Sequence, residues 1–231
     1  MVRSKNKKFV VALGGSIFFP KKVDIRFFKR FISFVKKRIK KGEKFIFIVG
    51  GGNIAREYQK SLDKVKKVVD KDKDWLGIYA TYLNALFFQK VFKNQANPIL
   101  LNRRCKIKRF GKYPIIIGTG WQPGYSTDFV AVQTAVDFKI EKVIILGKPD
   151  YVYTSDPEKN KNAKPIERLD WESYFKIISP KWKPGLNFPV DPIAAYLAKK
   201  KKIKVIVANG RDLLNFKRIL ENKKFKGTLL E

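Results

Sequence analysis

The 231-residue chain has no histidine, one cysteine, one methionine, and only 20 acidic residues against 51 lysines and arginines. Without histidine there is no Ser-His or Cys-His triad, no His-ligated zinc and no imidazole acid–base step. A single cysteine excludes a disulfide framework and a Cys-cluster metal site. No apolar run reaches the roughly 20 residues of a membrane-spanning helix. An enzyme of this composition works through backbone amides, lysines, arginines and carboxylates.

What is present is a core. Hydrophobic residues make up 45% of the chain and include 19 phenylalanines, which excludes a disordered polypeptide. The length suits one domain. The net charge of +31 is uneven: residues 1–115 carry +23 and residues 116–231 carry +8. The densest runs are 36–41, 103–109 and 199–202. Such a surface attracts phosphates, nucleic acid or anionic membrane. The plainer reading is a lysine-rich solvated face, because the runs lie at the ends of elements and are not interleaved with exposed aromatics. Phe9 to Phe19 has the length of a signal-peptide core, but Pro20-Lys21-Lys22 follows instead of a cleavage site, and the central Gly14-Gly15 fits a strand and a tight loop. The expectation is a soluble cytoplasmic protein.

Short apolar runs alternate with longer amphipathic stretches, the pattern of an α/β fold around a mostly parallel sheet. Strands are predicted at 9–13, 45–49, 98–101, 115–117, 143–146 and 205–207. Asp24 reads as the N-cap of a helix that Gly42 stops, and further helices are predicted from about 54, at 75–92, 128–138, 192–202 and 213–220. The 75–92 helix reads as buried on more than one side. Residues 150–169, rich in Pro, Asp, Asn and Lys, read as a surface excursion with turns.

Three glycine clusters each follow an apolar strand directly: Gly14-Gly15, Gly50-Gly51-Gly52 and Gly118-Thr119-Gly120. Glycine lets backbone N–H groups approach a ligand, and a helix starting there adds partial positive charge. In a parallel sheet these loops share one edge, so three of them favour a phosphate site. The P-loop pattern and the G-x-G-x-x-G pattern are both absent, which argues against a P-loop NTPase and a Rossmann dehydrogenase.

Five blocks in order resemble the uridylate (UMP) kinases of archaeal type in the amino-acid-kinase superfamily. They are Val11 to Ser16, Val49 to Tyr58, Asp74 to Ile78 with Asn84, Gly120 to Asp128, and Leu146 to Pro157. The resemblance spans about residues 9 to 210. It implies a three-layer α/β/α sandwich with a central mostly parallel sheet, one domain over 1–231. The acceptor half would run to about 140 and the ATP half from about 141. It also implies ATP + UMP → ADP + UDP with Mg²⁺ in pyrimidine nucleotide synthesis, a homohexamer, and UTP as a feedback inhibitor.

By the same resemblance, Gly14, Gly15, Ser16, Gly52, Arg56, Gly147, Lys148, Tyr153 and Asp156 hold ATP. Gly51, Asp74, Trp121, Gln122, Pro123, Gly124, Tyr125, Ser126 and Thr127 hold UMP, Asp74 through the ribose hydroxyls. Lys148, Arg56 and Asp128 are the catalytic candidates, and no protein metal ligand is expected. The chemistry agrees: the attacking oxygen is an ionised phosphate, so positioning and charge neutralisation suffice without a general base. Plainer roles stand beside these. Asp74 and Asp128 suit helix caps, Asp156-Pro157 an ordinary turn, and Trp121 a core or oligomer contact. The chain departs from the family pattern at Ala12, where bacterial members carry a lysine, and at Gly147, Pro149 and Tyr151. The rivals are another small-molecule kinase of the superfamily, or a basic nucleic-acid-binding protein on its scaffold; otherwise nucleic acid is expected to bind only non-specifically.

Overall fold

A computed structural model describes residues 7–20, 22–178 and 188–231. The strands are β1 (Lys8–Leu13), β2 (Lys44–Val49), β3 (Ile115–Gly118), β4 (Lys142–Gly147), β5 (Val152–Tyr153), β6 (Pro165–Ile166), β7 (Arg168–Leu169), β8 (Lys204–Asn209) and β9 (Thr228–Leu230). The helices are α1 (Gly15–Phe18), α2 (Ile25–Ile39), α3 (Gly52–Val65), α4 (Asp70–Phe92), α5 (Thr127–Asp137), α6 (Trp171–Ile177), α7 (Pro192–Lys201) and α8 (Leu213–Leu220).

Seven strands form the central sheet in the order β3-β2-β1-β4-β8-β9-β7, and β5 and β6 make a separate antiparallel pair. From β3 to β8 all neighbours are parallel, while β9 runs antiparallel to β8. Strands such as Phe-Val-Val-Ala-Leu are apolar at consecutive positions because a parallel sheet buries both faces. Val10, Ile46, Ile116, Val143 and Val205 point to one layer, formed by α5, α6 and α7. Val11, Phe47, Ile117, Ile144 and Ile206 point to the other, where α1, α2, α4 and α8 pack. The result is the α/β/α sandwich.

The second layer is largely aromatic. Phe18 packs against Phe27, Phe28, Phe31 and Phe88 with ring centroids 4.8–5.2 Å apart. The four-residue α1, which carries Phe18 directly after the first glycine loop, is thereby wedged between α2 and α4.

Predicted and observed elements differ in five places. Pro98–Leu101 is not a strand: only single parallel bridges, Ala96 to Ile115 and Leu101 to Gly118, run along β3. Pro98 lacks an N–H, and the Asn97 side chain accepts from Ile99 N at 2.9 Å, closing a turn instead. The 150–169 excursion contains β5, β6 and β7. Helix α6, capped by Asp170, and the terminal strand β9 were not anticipated. Finally, α4 is buried on one side only. Ala80, Asn84, Phe88 and Phe92 face inward, while Tyr79 (68% exposed) and Leu83 (56%) face out of the single chain, and Phe87 lies at the margin with its ring 5.2 Å from that of Phe28.

Candidate active site

The carboxyl ends of β1, β2, β4 and β8 meet through their glycines. Gly14 N donates to Leu146 O at 2.9 Å, Gly50 N to Leu13 O at 2.9 Å and Gly210 N to Gly147 O at 2.9 Å. Approach is closest between the first two loops: a Cβ on Gly15 would lie 2.1 Å from Gly52 N. Gly52 has φ +67, a left-handed conformation that lets the chain turn from β2 into α3. No side chain caps α3, so its first turn presents backbone donors and the positive end of the helix dipole at this edge. Arg56 lies one turn further along and is exposed. The triple-glycine turn is pinned from behind by buried Asn84, whose amide donates to Gly50 O at 2.9 Å and Gly51 O at 3.0 Å.

The loop that enters α5 is fixed to α4. Asp74 accepts from Gly124 N at 2.7 Å, and Thr81 accepts from Gly120 N at 2.8 Å while donating to Ile78 O. Burial raises the Asp74 carboxyl, opposed by the Gly124 hydrogen bond. Asp74 lies in the second turn of α4, which begins at Asp70 behind Val69 as its N-cap, so Asp74 is not the helix cap. Gln122, Pro123 and Gly124 form the tip, closed by Tyr125 N to Gln122 O. The Tyr125 ring stacks on Phe129 with centroids 4.1 Å apart.

Three of the expected acceptor and catalytic side chains are already engaged. Trp121 donates its indole N–H to Leu101 O at 3.1 Å and packs against the core, which is the plainer of its two readings. Ser126 caps α5, accepting from Phe129 N at 3.0 Å, and its hydroxyl bonds Asp191. Thr127 is the first helical residue. Asp128 is therefore not the N-cap. Its carboxyl lies beside Asp191, and among the described residues no cation pairs with it. Asp191 in turn caps α7 by accepting from Ile193 N at 2.8 Å and Ala194 N at 3.1 Å.

The half-buried Asp128 and the buried Asp191 bring two carboxyl groups together. Burial, then the neighbouring Asp191, pushes the Asp128 carboxyl from 3.8 up to about 8; Asp191 is raised as well, mainly by burial. Between about pH 4 and 8 the folded chain thus holds a proton that the unfolded chain has released. Stability should fall as pH rises through that window and level off above it. Urea midpoints measured across the window should show this fall, and Asp128→Asn should flatten it. An unchanged slope in Asp128→Asn would show that the pair stays ionised.

On the other flank, Lys148 follows β4 and is exposed, with its carbonyl accepting from Asn209 Nδ2 at 3.0 Å. Tyr153 lies on β5, which is tied to β9 by Val152 N donating to Thr228 Oγ1 at 2.8 Å. Asp156 is exposed and closes its own turn by accepting from Glu158 N at 3.0 Å. Among the described residues no hydrogen bond joins Tyr153 or Asp156 to the glycine loops. The structure thus gathers Gly14, Gly15, Ser16, Gly51, Gly52 and Gly147 at one edge and joins Asp74 to Gly124. Gly210, Thr81, Asn209 and Asp191 were missed. Gly210 was legible: it follows the apolar strand β8 just as the other three clusters follow theirs.

Among the described residues no group of three acidic or cysteine side chains could cage a metal ion. No described helix is long and apolar enough to cross a membrane.

Comparison with known proteins gives one consistent picture. The sequence model of the amino acid kinase family matches residues 7–209. A uridylate kinase of Thermococcus sibiricus is 30% identical over 97% of this chain and 99% of its own length. A uridylate kinase of Thermoplasma volcanium is 32% identical over 98% of each chain. The crystal structure of uridylate kinase from Archaeoglobus fulgidus superimposes with a TM-score of 0.79 at 26% identity, covering 97% of this chain and 100% of that one. With the sheet order, the joined glycine loops and this full-length similarity together, the chain belongs to the amino acid kinase family.

Proposed function

We propose that the protein is a uridylate kinase that transfers the γ-phosphoryl group of ATP to UMP. The observation that carries this reading is the joined carboxyl edge: glycine loops from β1, β2 and β4 in backbone contact, with α4 and the 120–127 loop locked beside them through Asp74 and Thr81. An arrangement of this kind positions two polyanions and neutralises charge between them, which is what phosphoryl transfer to a phosphate requires.

In this reading the backbone amides of Gly15, Ser16 and Gly52 cradle the transferring phosphoryl, and Gly14, whose own N–H donates to Leu146 O, holds that loop against β4. Arg56 and Lys148, which have no ion-pair partner among the described residues, are cations that can close over it, standing in for the lysine that Ala12 replaces. Asp74 receives the acceptor's ribose hydroxyls with its second oxygen, since Gly124 N occupies only one. Gly51 and residues 121–127 surround the pyrimidine mainly through backbone groups, because Trp121 and Ser126 are committed elsewhere. Asp128 lies beside Asp191 at the start of α5, which Ser126 caps. Gly147, Tyr153 and Asp156 frame the adenine nucleotide, which gives an acceptor half to about 140 and an ATP half beyond it. Magnesium, arriving with ATP, would be held mainly by the nucleotide's own phosphates.

Its place is pyrimidine nucleotide synthesis in the cytoplasm, with UTP competing for the acceptor site. The outward apolar face of α4 supports self-association into a homo-oligomer, with a hexamer as the assembly implied by family resemblance. The reading is tested by ADP release from ATP–Mg²⁺ with UMP, CMP, dUMP, AMP and isopentenyl phosphate offered singly. UMP alone should support turnover. Arg56→Ala should lower kcat by about 100- to 1,000-fold, the usual loss for one charge-stabilising donor, whereas Asp74→Ala should act chiefly on the KM for UMP. Silence with every acceptor would refute the assignment.

A further inference from the structure

The amino-terminal edge of the sheet, opposite the glycine loops, carries an uncompensated cluster of cations. Four of the five parallel strands begin with lysine: Lys8, Lys44, Lys142 and Lys204. Lys8 lies directly opposite Lys44, and Lys142 opposite Lys204. Like charges placed opposite each other on neighbouring strands are destabilising.

The second pair is relieved within the chain. Lys142 donates to Asn222 at 3.0 Å, and Lys204 pairs with Glu231. The first pair has no such relief. Lys8 and Lys44 line a cavity of about 360 Å³ together with Lys108, Arg109 and Lys139, floored by Phe110 and Phe138. Its one acidic side chain, Asp137, is already taken by Arg104 at 2.8 Å and Gln133 at 2.9 Å. Among the described residues none of the five cations has an ion-pair partner. Arg103, Lys106 and Lys112 extend the positive strip along the same loop.

We propose that this edge is a second binding site, distinct from the glycine-loop edge, for the phosphate backbone of a single-stranded nucleic acid. A concave strip of cations without ion-pair partners among the described residues suits a chain of phosphates. None of its lining residues lies on a projecting helix or ribbon of the kind that enters a duplex groove. Phe110 is buried and Lys44 Nζ lies 5.7 Å from its ring centroid, so base stacking is not the basis of affinity and no sequence preference arises.

The test is fluorescence anisotropy with a labelled oligoadenylate strand, with saturating ADP–Mg²⁺ and UMP, a pair that cannot react, present to fill the opposite edge. Five phosphate contacts predict a slope of log K against log salt of about −3.5, hence a loss on the order of 100-fold for a fourfold rise in salt. The triple variant Lys108→Gln, Arg109→Gln, Lys139→Gln removes three exposed cations and should reduce the steepness of that slope by about 2. A control triple in the β5–β6 turn, Lys159→Gln, Lys161→Gln, Lys164→Gln, should leave the slope as it is. Thermal melting keeps the comparison to folded chains, and Lys108→Gln alone, with a loss of about 0.7 in slope, serves if the triple unfolds. Equal losses in both triples, displacement of the strand by ADP and UMP, or binding to anionic vesicles but not to the strand would each overturn the proposal.

Discussion

Gly15→Ala should lower kcat/KM for UMP phosphorylation by about 100-fold or more. The added Cβ would lie 2.1 Å from Gly52 N, 2.5 Å from Gly52 Cα and 2.8 Å from Gly50 C, all of it backbone. No side chain can swing aside, so one glycine loop must retreat from the other by about an ångström to restore ordinary contact. Misplacement on that scale costs on the order of 100-fold in rate when positioning is the catalytic device. Overpacking should also lower stability by about 1–3 kcal/mol. Gly111→Ala is the matched control. A Cβ there meets nothing within 4 Å, and φ of +59 leaves only a conformational cost of about 1 kcal/mol. Its kinetics should equal those of the parent, measured by ADP release at matched folded fraction. If Gly15→Ala retained full activity, the two loops would not jointly hold the phosphoryl group.

The largest loss of stability is expected at Arg38. This arginine, 5% exposed near the end of α2, donates from Nε to Glu43 at 2.7 Å, makes a second bond to Glu43 through its other nitrogen, and reaches Glu221 at 2.7 Å. It thereby ties the end of α2 to the turn before β2 and to the end of α8. Arg38→Met leaves Glu43, 6% exposed, without its partner. Breaking a buried pair on one side typically costs about 3–5 kcal/mol, which for a chain of this size lowers the melting midpoint by roughly 10 °C. Adding Glu43→Leu should recover most of that loss, because an apolar replacement of both partners removes the stranded charge. A double variant no more stable than the single one would place the cost in packing around the guanidinium stem instead.

The same site sets part of the acid limit. Arg38, and then Lys223, hold the Glu221 carboxyl down to about 2. Its contribution is complete above the ordinary glutamate range and is lost as pH falls from about 4.5 toward 2. Arg38→Met should shallow that acid limb.

The parallel strands were legible because burial on both faces demands unbroken apolar runs, as in Phe45 to Val49. The helix caps were legible at Asp24, whose side chain accepts from Phe27 N at 3.0 Å. Short elements were not. Thr228-Leu229-Leu230 has no period to read and becomes a strand only because β8 offers an unpaired edge. Pro98 to Leu101 misled for the converse reason: Leu100 and Leu101 are buried by tertiary contact without a ladder, while Pro98 and Ile99 lie exposed.

In the candidate site, glycines could be read from sequence because close approach excludes every other residue type. Tasks shared by many residue types could not. Nothing in the sequence says that the Ser126 hydroxyl turns to Asp191, or that the Trp121 indole finds Leu101 O. The glycine after β8 was readable and passed over. Its role depends on β8 lying beside β4, which is a fact of strand order.

The wedge of Phe18 among four other rings bears on where the entropy of ligand binding goes. Gly14, Gly15 and Ser16 are held between strand β1 and a phenylalanine buried on all sides, so a loop built of the two most permissive residues has little freedom left. The cost of ordering it falls on folding, and is shared across the aromatic layer. A nucleotide arriving at that loop therefore meets donors already fixed in place, and its affinity is not reduced by having to fix them.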